Sequence, residues 1–173
     1  MDLKQHIRHV PGFPKPGILF YDISTLLAHA KAWHATIERM ADALRPYKPD
    51  VLAGVESRGF LLAAPLALAL NTGFVMMRKQ GKLPGKTLSQ AYTLEYGEAV
   101  MEIHEDAIAK GEKVIIVDDL IATGGTVGAT VKLVERLGAN LIECAFVVEL
   151  PDLKGRDKIP GCKVFAITEF EGE

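Results

Sequence analysis

Two cysteines, one tryptophan and a net charge of −2 mark what this chain of 173 residues has little of, and each shortage removes a class of protein. Cys144 and Cys162 stand in apolar, strand-like surroundings and form no metal-ligand spacing. Two such thiols are expected to be reduced, which makes the cytoplasm the expected compartment. With 20 basic against 22 acidic residues there is no global field to gather nucleic acid or an anionic membrane. Any anion chemistry must therefore rest on a local basic cluster. The opening residues are polar and lack the apolar core of a secretory signal. The longest apolar run, residues 61–70, contains Pro65 and is too short to span a bilayer, so it reads as a buried helix. The five histidines have neither an i, i+4 metal spacing nor a nearby nucleophile, and none is assigned chemistry. Missing too are G-x-x-x-x-G-K-[ST] and G-x-G-x-x-G, which argues against a nucleotide triphosphatase and a dinucleotide-binding enzyme.

What remains is an ordinary globular composition, 49 % hydrophobic and 24 % charged, sized for a single domain. Pro11, Pro14 and Pro16 keep the opening segment out of a helix and in an extended wrap. Ser24 or Thr25 suits the cap of a short turn, and residues 30–44 have helical composition up to Pro46. A strand is expected over 50–56, a helix over 59–70, a turn over 71–73 and a strand over 74–78. Residues 79–90 are polar, hold two glycines and a proline, and lack periodicity, as a loop does. Strands are expected within 93–103 and one helical turn over 106–110, closed by Gly111.

Residues 114–117 are wholly apolar and β-branched, the composition of a central strand covered on both faces. A helix follows from about Gly125, with Val127, Val131, Val134 and Leu137 on one stripe and Gly138 at its end. Residues 141–150 and 163–168 supply two more strands. Strands alternating with helices predict an α/β fold, a mostly parallel twisted sheet flanked by helices. Ligands of such sheets bind beyond the carboxyl ends of the strands.

At the end of the best strand stands VIIVDDLIATGGT. Adjacent glycines let backbone N–H groups approach an anion closely, and the helix that follows turns the positive end of its dipole to the same place. Ala122, Thr123, Gly124, Gly125 and Thr126 are thus the candidate phosphate site. Asp118 and Asp119 would repel that phosphate; they suit hydroxyl donors and a hard cation, as on a ribose diol and its Mg²⁺. The bland alternative is a solvated strand end and a tight turn. The presence of strand, acids, threonines and helix in the required order favours the ligand site.

Two further groups carry charge to the same edge. Ser57 and Arg58 follow their own strand and form a second anion site, unless Arg58 pairs with Glu56 or an acidic surface. Arg78, Lys79, Lys82 and Lys86 cluster without an acid among them, either a solvated face or a lid that neutralises a pyrophosphate.

The motif resembles the phosphoribosyl-pyrophosphate signature of the type I phosphoribosyltransferases. FPKPGILFYDIS, AGVESRGF, RKQGKLPG, LEYG and VELPDLKGRDK resemble the adenine branch of that family, from about residue 11 to the end. The resemblance implies a transferase that joins adenine to 5-phosphoribosyl-1-pyrophosphate, giving AMP and pyrophosphate, with Mg²⁺ as cofactor and a homodimer as assembly. It implies a base-binding hood over about residues 1–30 and a lid over about 79–95, with Arg58, Ser57, Arg78, Lys79 and Lys82 on the pyrophosphate. Glu95 would handle the proton at N7 of the base, though it reads equally well as an exposed strand residue; Tyr96 would stack on the ribose or simply pack. Leu19, Phe20, Tyr21 and Leu150 would sandwich the purine, though Phe20 and Tyr21 read equally well as ordinary core aromatics. At Tyr21 many family members carry arginine, so base choice there must use backbone atoms or differ. A sister enzyme for xanthine, hypoxanthine or orotate, and a non-catalytic sensor of the same sugar phosphate, stay open as alternatives.

Overall fold

The computed structural model describes residues 1–94 and 97–171. After a single 3₁₀ turn at Leu3–His6, strands β1 (Arg8–Pro11) and β2 (Leu19–Asp22) pair antiparallel, and helices α1 (Ser24–Ala28) and α2 (Ala30–Leu44) follow. Next come β3 (Val51–Val55), α3 (Arg58–Ala69), β4 (Gly73–Lys79) and the hairpin of β5 (Thr87–Leu94) and β6 (Gly97–His104). The chain closes with β7 (Lys113–Ile121), α4 (Gly125–Arg136), β8 (Asn140–Glu149) and β9 (Lys163–Glu169). One sheet of seven strands runs β5-β6-β4-β3-β7-β8-β9. Its β4-β3-β7-β8-β9 part is parallel, and β6 and β5 continue it antiparallel at one edge.

The apolar run at 114–117 explains the layering. Successive side chains of a strand point to opposite faces. Ile115 and Val117 accordingly join the core under α1, α2 and α3, while Val114 and Ile116 join the core under α4. β8 repeats the division, with Ala145 and Val147 on the first face and Cys144 and Phe146 on the second. The α4 stripe of Val127, Val131 and Val134 is buried as its spacing predicts. The α/β expectation with a mostly parallel sheet is met.

Four local expectations are corrected. The strand at 114–117 does not stop before the two acids: β7 runs on to Ile121, because Asp118 pairs with Phe146 and Leu120 with Val148 of β8. Residues 87–90, expected as loop, belong to strand β5, which pairs along the whole of β6 and begins well before the strand expected from residue 93. Residues 106–110 turn without forming a helix. Neither Ser24 nor Thr25 caps α1; instead the Asp22 carboxylate accepts the Ser24 N–H at 2.9 Å and its hydroxyl at 2.7 Å.

The chain passes from β3 outward to β4, then returns to β7 on the other side of β3. This reversal of strand order opens a crevice between the carboxyl ends of β3 and β7. Glu56, Ser57 and Arg58 leave β3 there, and Asp118 and Asp119 occupy the same end of β7.

Candidate active site

A cavity of about 670 Å³ opens at this crevice. Its floor is the turn after β7, where Ala122 to Thr126 all line the space. Gly124 adopts φ +88, the left-handed region that favours glycine, and no side chain caps the α4 terminus that follows. The N–H groups of that first turn therefore have no side-chain cap, an arrangement open to an anion. Glycine is required here for a second reason: a Cβ on Gly124 would overlap the carbonyl of Gly155. The strap around Gly155 is held in turn by Arg156, which grips the buried Glu149 carboxylate with two bonds of 2.7 and 2.8 Å.

Above the floor, Arg58 Nε donates to Asp119 Oδ2 at 2.5 Å. Burial works to lower the Arg58 pKa, but the carboxylates of Asp119, Asp118 and Asp22 outweigh it and raise the value. The guanidinium carbon also lies 5.6 Å from the Phe20 ring centroid. Asp118 Oδ1 accepts the Asp119 N–H at 2.8 Å. Removal from water pushes the Asp118 carboxyl well above the ordinary aspartate range, and the charge of Asp119 beside it adds to the push. Gly59 makes this packing possible, since a Cβ there would lie 2.8 Å from the Val117 carbonyl and 3.1 Å from Asp118 Oδ1.

Glu56 organises the neighbouring cations. Its Oε1 accepts Arg78 Nε at 3.2 Å and the Lys79 N–H at 2.9 Å, and its Oε2 takes Lys82 Nζ. Burial alone would raise the Glu56 pKa; these partners together hold it below the usual value. The Glu56–Ser57 peptide is cis. Leu19, Phe20, Leu150 and Leu153 give the cavity an apolar part of its lining, and Tyr92 and Leu94 of β5 line it too.

The sequence profile of the phosphoribosyl transferase domain matches residues 22–172. A curated adenine phosphoribosyltransferase of Rhodospirillum centenum is 60 % identical over 159 residues, 92 % of this chain and 93 % of its own. The chain belongs to the adenine phosphoribosyltransferase family. Among solved structures, the adenine phosphoribosyltransferase of Thermoanaerobacter pseudethanolicus superposes with a TM-score of 0.94 at 50 % identity, covering 97 % of this chain and 98 % of that one. The Saccharomyces cerevisiae enzyme, solved with adenine and an imino-altritol bisphosphate, gives a TM-score of 0.92 at 45 % identity over 95 % and 96 % of the two chains.

Against the expectations for a phosphoribosyltransferase, one cavity gathers most of the residues singled out from sequence. Ser57, Arg58, Lys79, both aspartates and the Ala122–Thr126 turn line it, as do Leu19, Phe20, Tyr21 and Leu150. Arg78 and Lys82 stand behind that lining, on Glu56. Arg58, for which pairing with Glu56 or an acidic surface was the alternative to an anion site, pairs with Asp119. Glu95 and Tyr96 lie outside the described residues.

Two contributors escaped the sequence reading. Glu56 was visible only as a possible partner of Arg58. Glu102, buried on β6, accepts the Gly81 N–H at 3.0 Å and the hydroxyls of Thr87 and Ser89 at 3.1 and 2.8 Å. The alternation of Thr87 and Ser89 was the available signal, hidden because both sit in a stretch that reads as loop.

Proposed function

We propose that the chain transfers the 5-phosphoribosyl group of 5-phosphoribosyl-1-pyrophosphate to N9 of adenine, releasing AMP and pyrophosphate. The observation that carries this reading is a single cavity joining an uncapped glycine turn, a carboxylate pair, a cationic wall and an apolar slot. Each part has one partner on the substrates. The turn at 122–126 receives the 5-phosphate, and Asp118 with Asp119 holds the ribose diol. Arg58 and Lys79 face the pyrophosphate, and Leu19, Phe20 and Leu150 enclose the base.

The bond from C1 to the pyrophosphate oxygen breaks as the N9–C1 bond forms on the opposite face. Positive charge gathers on the ribose as bond breaking runs ahead of bond making, and negative charge on the aspartate pair would favour it. Arg58 and Lys79 take up negative charge on the leaving group. Glu95 accepts the proton that N7 of the base loses as N9 bonds to C1. The chain's contribution is position and electrostatics, with no covalent intermediate on the protein.

Mg²⁺ belongs to this reading as a companion of the substrate. Among the described residues no group of three His, Cys, Asp or Glu side chains stands together to hold a metal. One Asp119 oxygen is committed to Arg58, and Asp118 is withdrawn from water. That donor set does not fit a resident ion; Mg²⁺ carried on substrate oxygens, with its own waters, suits it better. When bound so, it neutralises charge on the pyrophosphate.

The same reading takes the protein as a homodimer. Leu61 and Leu68 are 48 % and 83 % exposed and, seven residues apart, share one face of α3. An apolar face of that kind suits a second copy.

Base choice tests the proposal directly. Purified protein given the activated sugar and an equal mixture of adenine, hypoxanthine, xanthine and orotate is expected to form AMP as its dominant product. Dominant formation of another nucleotide would overturn the assignment of adenine while leaving the transferase intact.

A further inference from the structure

The two sides of the base slot are joined by a residue outside it, Phe170, which directly follows β9. Its ring stacks on Tyr21, with centroids 4.4 Å apart and planes at 21°. His9 closes the group with its edge, 5.0 Å from Tyr21 and 5.0 Å from Phe170. Lys4 Nζ lies 5.0 Å from the Phe170 centroid. Through its backbone Phe170 reaches the other side, donating its N–H to the Glu149 carbonyl at 3.1 Å, one residue before Leu150.

Strand alternation on β2 gives this contact its meaning. Phe20 and Tyr21 are successive and face opposite ways. Phe20 meets Phe13 at 5.1 Å and Arg58 at 5.6 Å, on the substrate side. Tyr21, only 5 % exposed as a residue, turns its ring to Phe170. Its ring is thus engaged in a stack that sets where the β2 backbone runs.

We propose that Phe170 is a positioning residue for the base: its ring fixes β2, its N–H fixes the strand end at Leu150, and together they set the width of the slot. This rests on the placement of adenine between those two segments. Loss of the ring lets β2 drift from Leu150 and loosens the hold on a flat purine. The phosphate turn and Arg58 stay on other elements, so the sugar phosphate is held as before.

Wild type, Phe170→Ala, Phe170→Leu and Phe170→Tyr are compared in steady state, varying adenine and 5-phosphoribosyl-1-pyrophosphate in turn, with a melting temperature for each. The expected result is an adenine KM about tenfold higher in Phe170→Ala and Phe170→Leu, the scale of one lost aromatic pair, with the sugar-phosphate KM within about twofold. Phe170→Tyr, which keeps the stack, is expected to restore the adenine KM. A merely structural role would lower the melting temperature and leave the ratio of the two KM values unmoved. If Phe170→Ala fails to fold, Phe170→Leu decides by the same criteria. An unchanged adenine KM in folded Phe170→Leu, an equal rise in both KM values, or a Phe170→Tyr as impaired as Phe170→Leu would each overturn the inference. A wild type that uses no adenine would overturn the base assignment and this inference with it; a working wild type isolates the inference alone.

Discussion

Asp118 shows how much a single side chain costs the fold for the sake of the site. Its carboxyl is desolvated and sits beside Asp119, and both effects favour the protonated form. A carboxyl whose pKa is raised on folding withdraws stability as pH climbs past its unfolded value, and the whole penalty is present above the folded value. Asp118→Asn keeps the oxygen that accepts the Asp119 N–H and removes the charge. It is expected to raise the melting temperature at neutral pH by about 2–4 °C while turnover falls, a gain that shrinks on acidification. Differential scanning calorimetry across pH checks this, and a lower melting temperature would contradict it. Asp22 runs the other way. Hydrogen bonds from Arg8 and then Ser24 bring its carboxyl from 3.8 down to about 2, so it supports the β1–β2 hairpin above pH 3.8 and loses that support as pH falls towards 2. The acids were legible in sequence because their motif is local. The partners were not: Arg58 and Asp119 lie 61 residues apart, and only the sheet order brings them together.

Among the elements, the glycine turn before α4 is the most constrained. Gly124 combines a left-handed backbone with contact to the Gly155 carbonyl, so an added methyl meets both strain and overlap. Gly124→Ala is expected to cost about 1–2 kcal/mol from the backbone conformation alone, and to raise the sugar-phosphate KM more than the adenine KM. Denaturant unfolding and paired KM measurements test the two halves separately. The segment between β4 and β5 is the second case. Gly81 is tied to Glu102, Lys82 to Glu56, and His104 Nε2 contacts the Pro84 carbonyl at 2.8 Å. Bonds from Ser89, the Gly81 N–H and Thr87 hold the Glu102 carboxyl below its usual value despite burial, so these ties persist at neutral pH and weaken as pH falls through that lowered value. Glu102→Ala removes the shared acceptor of three donors, two of them in reach of water, and is expected to cost about 0.5–1.5 kcal/mol, with a raised sugar-phosphate KM. An unchanged melting temperature would show that the ties carry no stability. Sequence missed the first part of β5 because it is an edge strand with half its positions exposed, and such strands need no apolar alternation. The strands at 114–117 and 141–150, buried on both faces, were plain to read for the opposite reason.

Across the whole molecule, the parallel order β4-β3-β7-β8-β9 brings the residues predicted for the 5-phosphate and the diol to the carboxyl end of the sheet. The class of fold was legible from alternating apolar runs and helical stripes. The strand order, with its reversal between β3 and β7, was not, since no local pattern encodes which strands become neighbours. The exposed Leu68 on α3 makes a prediction at this scale: light scattering should find a dimer, and Leu68→Asp should shift the mass towards a monomer. A wild type of monomer mass would remove that face from the account. The central claim concerns that end itself, that phosphoribosyl transfer occurs on the turn from Asp118 to Thr126. Its most direct test is AMP formation from adenine and 5-phosphoribosyl-1-pyrophosphate by wild type and by Asp118→Asn/Asp119→Asn, with a folded spectrum confirmed for both. The account predicts turnover by the wild type and a loss of about 10³-fold or more in the double variant. A folded double variant with wild-type rates, or a wild type that makes no AMP, would contradict it.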